Sequence, residues 1–551
     1  MSAFMVSRIL SRVAPLFGLV SAFAIQGCQA EGGVGLGESE DEVYEHHGLD
    51  AYGPVPGNLE DRFLTCPVSD KSKTGTFNGK TYTYKSAAEA GYGRDGWQDR
   101  ITSDWSALSR LVPANMEALV IDIRRVGGVP HYLYLSNGKQ NNVYEPWSSS
   151  KFMAISGAMA RARTESGGLV GGDGTVGNVS LGDMTTAVHT YAAKGNAPGG
   201  GSSGVDGSNG MSNYFFRVAG ADYLTDLMHD KWLRLPDRSN FRGGYGAFSF
   251  NEASTSWTSV DGRSTTRMGR LENGITGDKT MSALAQGEWL KRLTQFETDP
   301  TTRLPGFNGT IQAEDTRALL YGNLKRSGEI GGMLAGESVY LLQGLLPGVT
   351  LGRPDAFGGE KNRAAKEILD RVTGGKWRVA HKLGAGVSGS RNVSEIVMAT
   401  YACLPGFDGG REFVIVTSAH ASSLAGANTA TQSAFNKIVP ALAPNFANAS
   451  ASPIPSAFPV PTNGTAVAAV STVLKAENVA SSTLADEKKC ALPAGQRLEF
   501  LTGEYVNSAK TEVKLTVDPR SSAVRSLGCP ETLWQNGPVF VYAPHFTFAA
   551  R

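Results

Sequence analysis

The apolar positions of this chain fall into five short runs typical of β-strands and several longer runs with the spacing of helices. Two strand-like runs come early and are joined by a turn at Gly127–Gly128: EALVIDIRR and HYLYLSNGK. Three come late, separated by GSRN and PGFDGG: WRVAHKLGAG, SEIVMATYACL and REFVIVTSA. These two groups predict one antiparallel sheet that is built from both ends of the same segment.

Helical spacing occurs before, between and after the two groups of strands. The predicted helices are WQDRITSDWSALSRLV, KFMAISGAMARA, SLGDMTTAVHTYAAK, KTMSALAQGEWLKRLTQ, GEKNRAAKEILDRVTGG and TATQSAFNKIVPAL. In the third of these, Ser180 followed by Asp183 is a helix-start signature. The predicted fold class is therefore α+β in three layers, with an antiparallel sheet flanked by helices and a mostly helical lobe from the middle of the chain.

Length and charge limit the classes of function. A chain of 551 residues is too long for one ordinary domain. Lys and Arg number 52 against 51 Asp and Glu, so the net charge of +1 argues against nucleic acid as a partner. Because no CxxC or clustered Cys/His spacing is present, we predict neither a metal site nor a cofactor.

The N-terminus is typical of an export signal. Arg8 and Arg12 precede the apolar run VAPLFGLVSAFAI, which is short for a membrane span. The following IQGC resembles the bacterial lipobox, which implies lipidation at Cys28 and a periplasmic or surface lipoprotein of the bacterial cell envelope. The alternative is an ordinary secretory signal that is cut nearby, after Ala30.

Composition divides the chain into five parts. A polar, glycine-rich tether follows the signal, and a Pro/Ala/Ser-rich stretch marks the clearest later boundary. The predicted parts are a signal peptide with lipobox at 1–28, a tether and N-terminal segment at 29–95, a main domain at 96–445, a linker at 446–472 and a small β-barrel-like module at 473–551.

Four cysteines remain when Cys28 is set aside, and an even number in an exported protein indicates disulfides. Cys490 and Cys529 are the favoured pair because both fall in the small C-terminal segment. Cys66 and Cys403 then pair only by elimination.

Candidate chemistry lies in VYEPWSSSKFMAISGAMARA, where Ser148 and Lys151 are one helical turn apart. A serine hydroxyl becomes a nucleophile when a base takes its proton, and lysine is a base only when neutral. Burial and a second cation both favour the neutral amine, and Lys382 in HKLGAG is the candidate second cation. The alternative is a polar helix cap with a salt-bridged lysine.

HKLGAGVSGSR resembles the third motif of class A serine β-lactamases and penicillin-binding proteins, which is K-[ST]-G followed by A-G and G-S-R. SLGDMTTAVHTY and SNGMSNYFFRVAGADYLTDLMH resemble the helix before the S-D-N motif of that family, the motif itself and the following helix. The resemblance covers about residues 115–440, with insertions near 163–177, 196–206 and 299–365.

The resemblance implies a role for each matching residue. Ser148 is the implied acylated nucleophile, Lys151 its proton acceptor and Lys382 the lysine that sets the electrostatic field. Ser208 is the implied proton-shuttling serine, and Asn209 holds the substrate amide and the lysine. The implied substrate contacts are the oxyanion hole formed by the N–H groups of Ser148 and Ala385, Gly384 beside it, and the carboxylate anchor Arg391.

Three departures from the family pattern affect these roles. An alternative alignment puts Gly207, not Ser208, at the serine position of the second motif. Leu383 replaces the hydroxyl residue of K-[ST]-G that contacts a substrate carboxylate. No E-x-x-L-N loop is found for the deacylating base, since the corresponding stretch holds only Glu252.

The last 80 or so residues are strand-rich and resemble bacterial Src-homology-3-like modules that bind cell-wall peptides. The aromatic residues Trp534, Phe540 and Tyr542 form either a binding face or the core of a small barrel.

Three hypotheses of function follow. The first is an exported serine acyl-hydrolase that acts on peptidoglycan peptides or a related amide through a Ser148 acyl-enzyme. The second is a class A-like β-lactamase, and the third is a catalytically inactive lipoprotein that binds the cell wall. The expected partners are peptidoglycan or a peptide or β-lactam substrate, and a membrane through the lipid anchor.

Overall fold

All five predicted strands lie in one sheet. The structure is a computed structural model and describes residues 66–550 apart from 192–193, 202–203, 243–254, 270–279, 304–310, 324–330, 335–338, 348–368, 370–371, 374–376, 389–390, 406–409, 445, 447–459, 461–462, 469–471, 480–483, 494–495, 507–511, 521–524, 527, 536 and 543–545. The predicted signal peptide, its Cys28, Glu252 and most of the linker lie outside the described residues.

The described strands form one large sheet in the main part of the chain, one in the C-terminal part and three small ones. They are β1 Thr74–Phe77, β2 Lys80–Thr83, β3 Lys85–Ser86, β4 Ser103–Asp104, β5 Met116–Val126, β6 Val129–Ser136, β7 Val143–Tyr144, β8 Thr175–Val176, β9 Val179–Ser180, β10 Phe241–Arg242, β11 Thr255–Thr258, β12 Thr265–Met268, β13 Thr280–Ser282, β14 Arg378–Ser388, β15 Val393–Leu404, β16 Arg411–Ala421, β17 Gly464–Ala468, β18 Thr472–Lys475, β19 Lys489–Leu492, β20 Arg497–Tyr505, β21 Glu512–Val517, β22 Val539–Tyr542 and β23 Phe546–Ala550.

The large sheet has the order β14–β15–β16–β5–β6–β3, and β4 runs parallel to β6. The two early strands therefore pair with the three late ones through β16 and β5, with Val416 opposite Leu119. Because β14 is at the edge, one side of its backbone has no neighbouring strand in this sheet. The candidate site described below lies at this edge.

Helices cover both faces of the large sheet and form a lobe beside it. They are α1 Ala87–Ala90, α2 Lys151–Glu165, α3 Leu181–Thr190, α4 Gly204–Ala219, α5 Ala221–Thr225, α6 Ala283–Thr294, α7 Ala313–Tyr321, α8 Val339–Leu345, α9 Leu424–Leu442 and α10 Glu531–Gln535. A π-helical turn spans Asp226–Leu233, and 3₁₀ turns span Trp97–Asp99, Trp147–Ser150, Arg238–Asn240, Pro300–Thr302, Gly332–Leu334 and Asp486–Lys488. No helix in the described part of the chain is both long and apolar enough to cross a bilayer.

The sheet has a separate hydrophobic core on each face because successive side chains of a strand point to opposite sides. On one face, α6 approaches so closely that a Cβ at Gly287 would lie 2.6 Å from Leu119 Cδ2. On the other face, Phe435 of α9 lies in the same buried cluster as Ile415 of β16. The predicted fold class, an antiparallel sheet flanked by helices with a helical lobe and a small all-β C-terminal part, is confirmed.

Local sequence signals explain some of these boundaries. The side chain of Ser180 accepts a hydrogen bond from the Asp183 N–H and caps α3 as predicted. The predicted helix WQDRITSDWSALSRLV is wrong, since the segment forms only a 3₁₀ turn, loops and the short strand β4. Trp97 is fully buried and donates its indole N–H to the distant Leu233 carbonyl, so tertiary contacts override the local helical spacing here.

Residues 66–95 are part of this packed body, although the sequence placed the start of the main domain at residue 96. Strand β3 pairs with β6, and a disulfide joins Cys66 to Cys403 of β15 across a sequence separation of 337 residues. The body therefore begins earlier than composition indicated.

The C-terminal part contains a seven-stranded sheet with the order β19–β18–β22–β21–β20–β17–β23. Its buried cluster includes Val539 and Val541 of β22, and Tyr542 is also buried. The disulfide Cys490–Cys529 joins positions 39 residues apart. This bond is the pair that the sequence favoured, and the bond from Cys66 to Cys403 is the pair that was left by elimination. The Src-homology-3 resemblance remains a prediction.

Candidate active site

Ser148 and Lys151 lie on consecutive turns of one continuous helical segment. Ser148 belongs to the 3₁₀ turn Trp147–Ser150, and Lys151 begins α2 directly after it. Only 8% of Ser148 is exposed, and Lys151 is completely buried. A fully buried lysine is not a solvated surface cation, so its partners decide what it does.

Lys151 meets two residues of α4. Its Nζ donates to Ser208 Oγ at 2.9 Å and to Asn209 Oδ1 at 2.7 Å. Both of these acceptors are neutral, so neither bond stabilises the ammonium as a carboxylate would. A neutral amine that donates both its N–H groups in this way can accept a proton at its lone pair, which is what a base for Ser148 requires.

Ser208 is the serine that reaches Lys151, which favours this residue over Gly207 as the match to the second motif. Its hydroxyl proton is already donated to the Val188 carbonyl at 2.7 Å. Ser208 Oγ therefore acts as an acceptor for Lys151, and shuttling a proton would require breaking the bond to Val188. The predicted shuttle role of Ser208 fits this geometry poorly.

Lys382 of β14 lies near Lys151, although the two residues are far apart in the sequence. Its Nζ donates to Tyr191 Oη at 3.3 Å and lies 5.3 Å from the centroid of the Tyr191 ring. The Nζ of Lys151 lies 5.7 Å from the same centroid. One tyrosine ring at the end of α3 thus contacts both amines.

The two amines affect each other electrostatically. Complete burial, with a further contribution from the nearby Lys151 amine, holds the pKa of Lys382 well below its usual value. The Lys382 amine therefore holds its proton less tightly than a solvated lysine does, and it lies in contact with a hydroxyl.

The start of the helical segment that contains Ser148 is in close contact with the edge strand β14. A Cβ at Gly384 would overlap the Pro146 carbonyl oxygen and would lie 2.7 Å from Ser149 N and 3.1 Å from Ser148 N. Glycine is therefore required at this position. The contact places Gly384, the residue before Ala385, against the backbone N–H of Ser148, and the predicted oxyanion hole needs β14 at this position.

Trp147, the residue before Ser148, has an unusual backbone conformation. Its φ is +48°, in the left-handed region that non-glycine residues rarely adopt. Its ring covers Gly386 of β14, and its Nε1 donates to Glu395 Oε2 at 2.9 Å. These two contacts fix the turn from which Ser148 projects.

Replacing Gly384 by alanine is expected to slow the modification of Ser148 by an acylating probe about a hundredfold, because a shift of β14 misplaces the site's backbone. The rate of labelling, followed by intact mass, measures this effect. The matched control is Gly195→Ala, where a new Cβ meets no atom within 4 Å. Equal rates in the two variants would contradict the role given to the contact between β14 and the helix.

Arg391, the predicted carboxylate anchor, is bound by carboxylates of the protein. Nη1 and Nη2 contact the two oxygens of Glu395 at 2.7 and 2.5 Å, and Nη2 also contacts Glu145 Oε2 at 3.1 Å. Nε donates to Ser388 Oγ at 3.2 Å. The guanidinium is therefore already neutralised at the predicted site.

Leu383 is 1% exposed and packs into the core beneath the sheet, on the side of α9. It supplies neither a hydroxyl nor a charge to the site. Among the described residues, no group of three or more His, Cys, Asp or Glu could hold a metal ion.

Tyr191 is the one residue of this cluster that sequence reasoning missed. It ends α3 with a φ of +57°, and its neighbours in the sequence carry no chemical signal. A tyrosine at the end of the helix that precedes the second motif was the available cue. The structure otherwise brings Ser148, Lys151, Ser208, Asn209, Lys382, Gly384 and Ala385 together.

No family model and no curated protein matches this chain. Among solved structures, a β-lactamase from Burkholderia vietnamiensis is similar at 12% identity, with 61% of this chain and 93% of that chain covered and a TM-score of 0.31. A β-lactamase from Xanthomonas campestris pv. campestris is similar at 12% identity, 61% and 95% coverage and a TM-score of 0.31. PBP-A is similar at 12% identity, 61% and 93% coverage and a TM-score of 0.30. At these identities and TM-scores, the matches give no argument about activity.

Proposed function

We propose that this chain is a serine acyl-hydrolase of the penicillin-recognising superfamily, which cleaves a peptidoglycan peptide or a related amide through a Ser148 acyl-enzyme. One observation carries the proposal. Two buried lysine amines, from α2 and β14, converge on the ring of Tyr191, and one of them, Lys151, lies one helical turn after Ser148. A structural helix cap needs neither amine, whereas a serine nucleophile needs a base in this position.

The proposed acylation step begins with attack of Ser148 Oγ on the substrate carbonyl carbon. The new C–O bond forms as the serine proton passes to the neutral amine of Lys151. Negative charge develops on the carbonyl oxygen, which the N–H groups of Ser148 and Ala385 would stabilise. The bond from carbon to the leaving group then breaks, and that group takes up a proton.

We assign the protonation of the leaving group to Tyr191. Its hydroxyl proton passes to the departing nitrogen or oxygen, and the amine of Lys382 stabilises the phenolate until a proton returns from Lys151. Water then attacks the acyl-enzyme carbonyl, which releases the acid and restores the Ser148 hydroxyl. In this scheme Ser208 keeps its bond to Val188 and holds Lys151 in place.

Replacing Tyr191 by phenylalanine is expected to lower kcat/KM for an amide substrate about thirtyfold, within the usual range for loss of a general acid. The ring stays beside both amines, so the variant removes the proton transfer by the hydroxyl and the hydrogen bond that the hydroxyl accepts from Lys382. The loss should shrink for a p-nitrophenyl ester, whose leaving group needs no proton. Tyr340→Phe is the control, since its buried hydroxyl bonds Asn428 away from the site. An equal loss with both substrates would contradict the assignment.

The function is tested with acylating probes and the full-length protein. A fluorescent penicillin, a fluorophosphonate and an activated ester are each incubated with it, and the modified peptide is identified by mass spectrometry. An adduct on Ser148 supports the proposal. Rapid turnover of a chromogenic cephalosporin would instead favour the β-lactamase hypothesis, and no adduct with any probe would favour the wall-binding lipoprotein.

We also propose export to the bacterial cell envelope, with lipidation at Cys28 and peptidoglycan as the partner. Two disulfides support an oxidising location, because such bonds persist in exported proteins and are rare in the cytosol. The C-terminal sheet would then bring the hydrolase close to the cell wall.

A further inference from the structure

The Arg391 guanidinium forms its hydrogen bonds with other residues of the protein. All three of its nitrogens donate, two of them to the buried carboxylate of Glu395 in a bidentate pair. Bidentate pairs of this kind are among the strongest charge-assisted contacts in proteins. A substrate carboxylate would have to displace Glu145 or Glu395 to reach this arginine.

The surroundings of Arg391 carry net negative charge. Glu395 also accepts from His420 Nδ1 at 3.0 Å, and the other ring nitrogen of His420 contacts Glu117. Burial opposes the charged imidazole, yet the hydrogen bonds to Glu117 and Glu395 raise the pKa of His420 to about 9. Two cations therefore face three carboxylates at neutral pH, so an incoming anion is repelled.

The side chains of β14 beside Ser148 offer no replacement for this arginine. Leu383 is an apolar core residue, and Gly384 and Ala385 have no donor groups in their side chains. The amine of Lys382 is completely buried and already donates to the Leu383 carbonyl at 3.1 Å and to Tyr191 Oη at 3.3 Å. No ammonium, guanidinium or hydroxyl in this described group is thus placed to bind a carboxylate strongly.

We infer that the site takes acyl substrates that carry no carboxylate next to the scissile bond, such as neutral esters and internal amides. The inference rests on the proposed function and narrows its substrate class. A carboxylate in that position would lose its hydration, and the described residues around it offer partners that are neutral or already bonded within the protein, which is unfavourable.

A matched pair of thioesters tests this inference. Both have the same N-acylated acyl group, and the leaving group is thioglycolate in one and its N-methylamide in the other. Attack by Ser148 forms the C–O bond, breaks the C–S bond and releases the thiol, which a chromogenic disulfide detects. We expect kcat/KM for the neutral thioester to exceed that for the charged one by about tenfold or more.

The outcomes separate this inference from the proposed function. If neither thioester acylates Ser148, the proposed function fails. If both acylate it and the charged thioester reacts as fast or faster, the function stands and the inference is overturned.

The variant Glu145→Gln tests whether the carboxylates bound to Arg391 keep a substrate carboxylate away from it. The variant removes one of the two carboxylates on the guanidinium, so the charged-to-neutral ratio of kcat/KM should rise about threefold or more. Glu165→Gln, which breaks an ion pair with Arg161 on α2, is the matched control and should leave the ratio unchanged. An unchanged ratio in Glu145→Gln would contradict this part of the inference.

Discussion

Replacing Ser148 by alanine is expected to abolish acyl transfer, with a fall in kcat/KM of about 10⁴-fold or more. The hydroxyl oxygen forms the covalent bond to substrate, and no neighbouring group can substitute for it. The hydroxyl of Ser149 donates to the Pro146 carbonyl and that of Ser150 to the Trp147 carbonyl. These two hydroxyls therefore stabilise the turn. Steady-state hydrolysis of an activated ester and intact-mass labelling measure the loss.

Ser156→Ala is the matched control for this variant. Ser156 lies further along α2, is 2% exposed and donates its hydroxyl to the Met153 carbonyl. Its loss should leave kcat/KM within about threefold and cost about 1 kcal/mol of stability. Wild-type activity in Ser148→Ala, with normal thermal unfolding, would rule out this serine as the nucleophile.

Removing the disulfide between Cys66 and Cys403 is expected to lower the free energy of unfolding by about 6 kcal/mol, as the chain entropy of so long a loop predicts. The bond closes a loop of more than 300 residues, so it strongly restricts the unfolded chain. It also fixes the first described residue to β15, a strand inside the large sheet. Urea denaturation of the Cys66→Ala/Cys403→Ala protein, followed by tryptophan fluorescence, measures the change.

Cys490→Ala/Cys529→Ala provides the comparison. That bond separates only 39 residues, and chain entropy predicts a loss about 2 kcal/mol smaller than for the longer loop. The loss should also be confined to the transition of the C-terminal sheet. A larger effect from this shorter loop would contradict the entropic explanation.

The elements that were predicted correctly from the sequence carry a strong local signal, which is either a long apolar run or a capping residue. Strands β14, β15 and β16 are nearly continuous apolar runs, and α3 begins at its Ser180 cap. Ser148 and Lys151 could be placed together because both belong to one helical turn. Lys382 was proposed as the second cation from its place in HKLGAG, and the resemblance of that motif supported the choice.

The features that the sequence did not predict depend on contacts between residues far apart in the chain. The spacing of neighbouring residues does not reveal such contacts. Tyr191 contacts Lys382, 191 positions away, and Glu145 reaches Arg391, 246 positions away. The first contact supplies a proposed acid, and the second removes an expected anchor. The helix predicted from Trp97 failed for the same reason, since the Leu233 carbonyl holds that indole in place.

The bond from Cys66 to Cys403 also determines where mechanical load enters the molecule. A pull on the chain ahead of Cys66 is carried covalently into the end of β15. There it is shared along ladders on both sides of that strand, so β1, β2 and α1 are bypassed. A protein tethered at its N-terminus would therefore bear tension through the large sheet, including the edge strand β14, and not through the short strands and helix that follow Cys66.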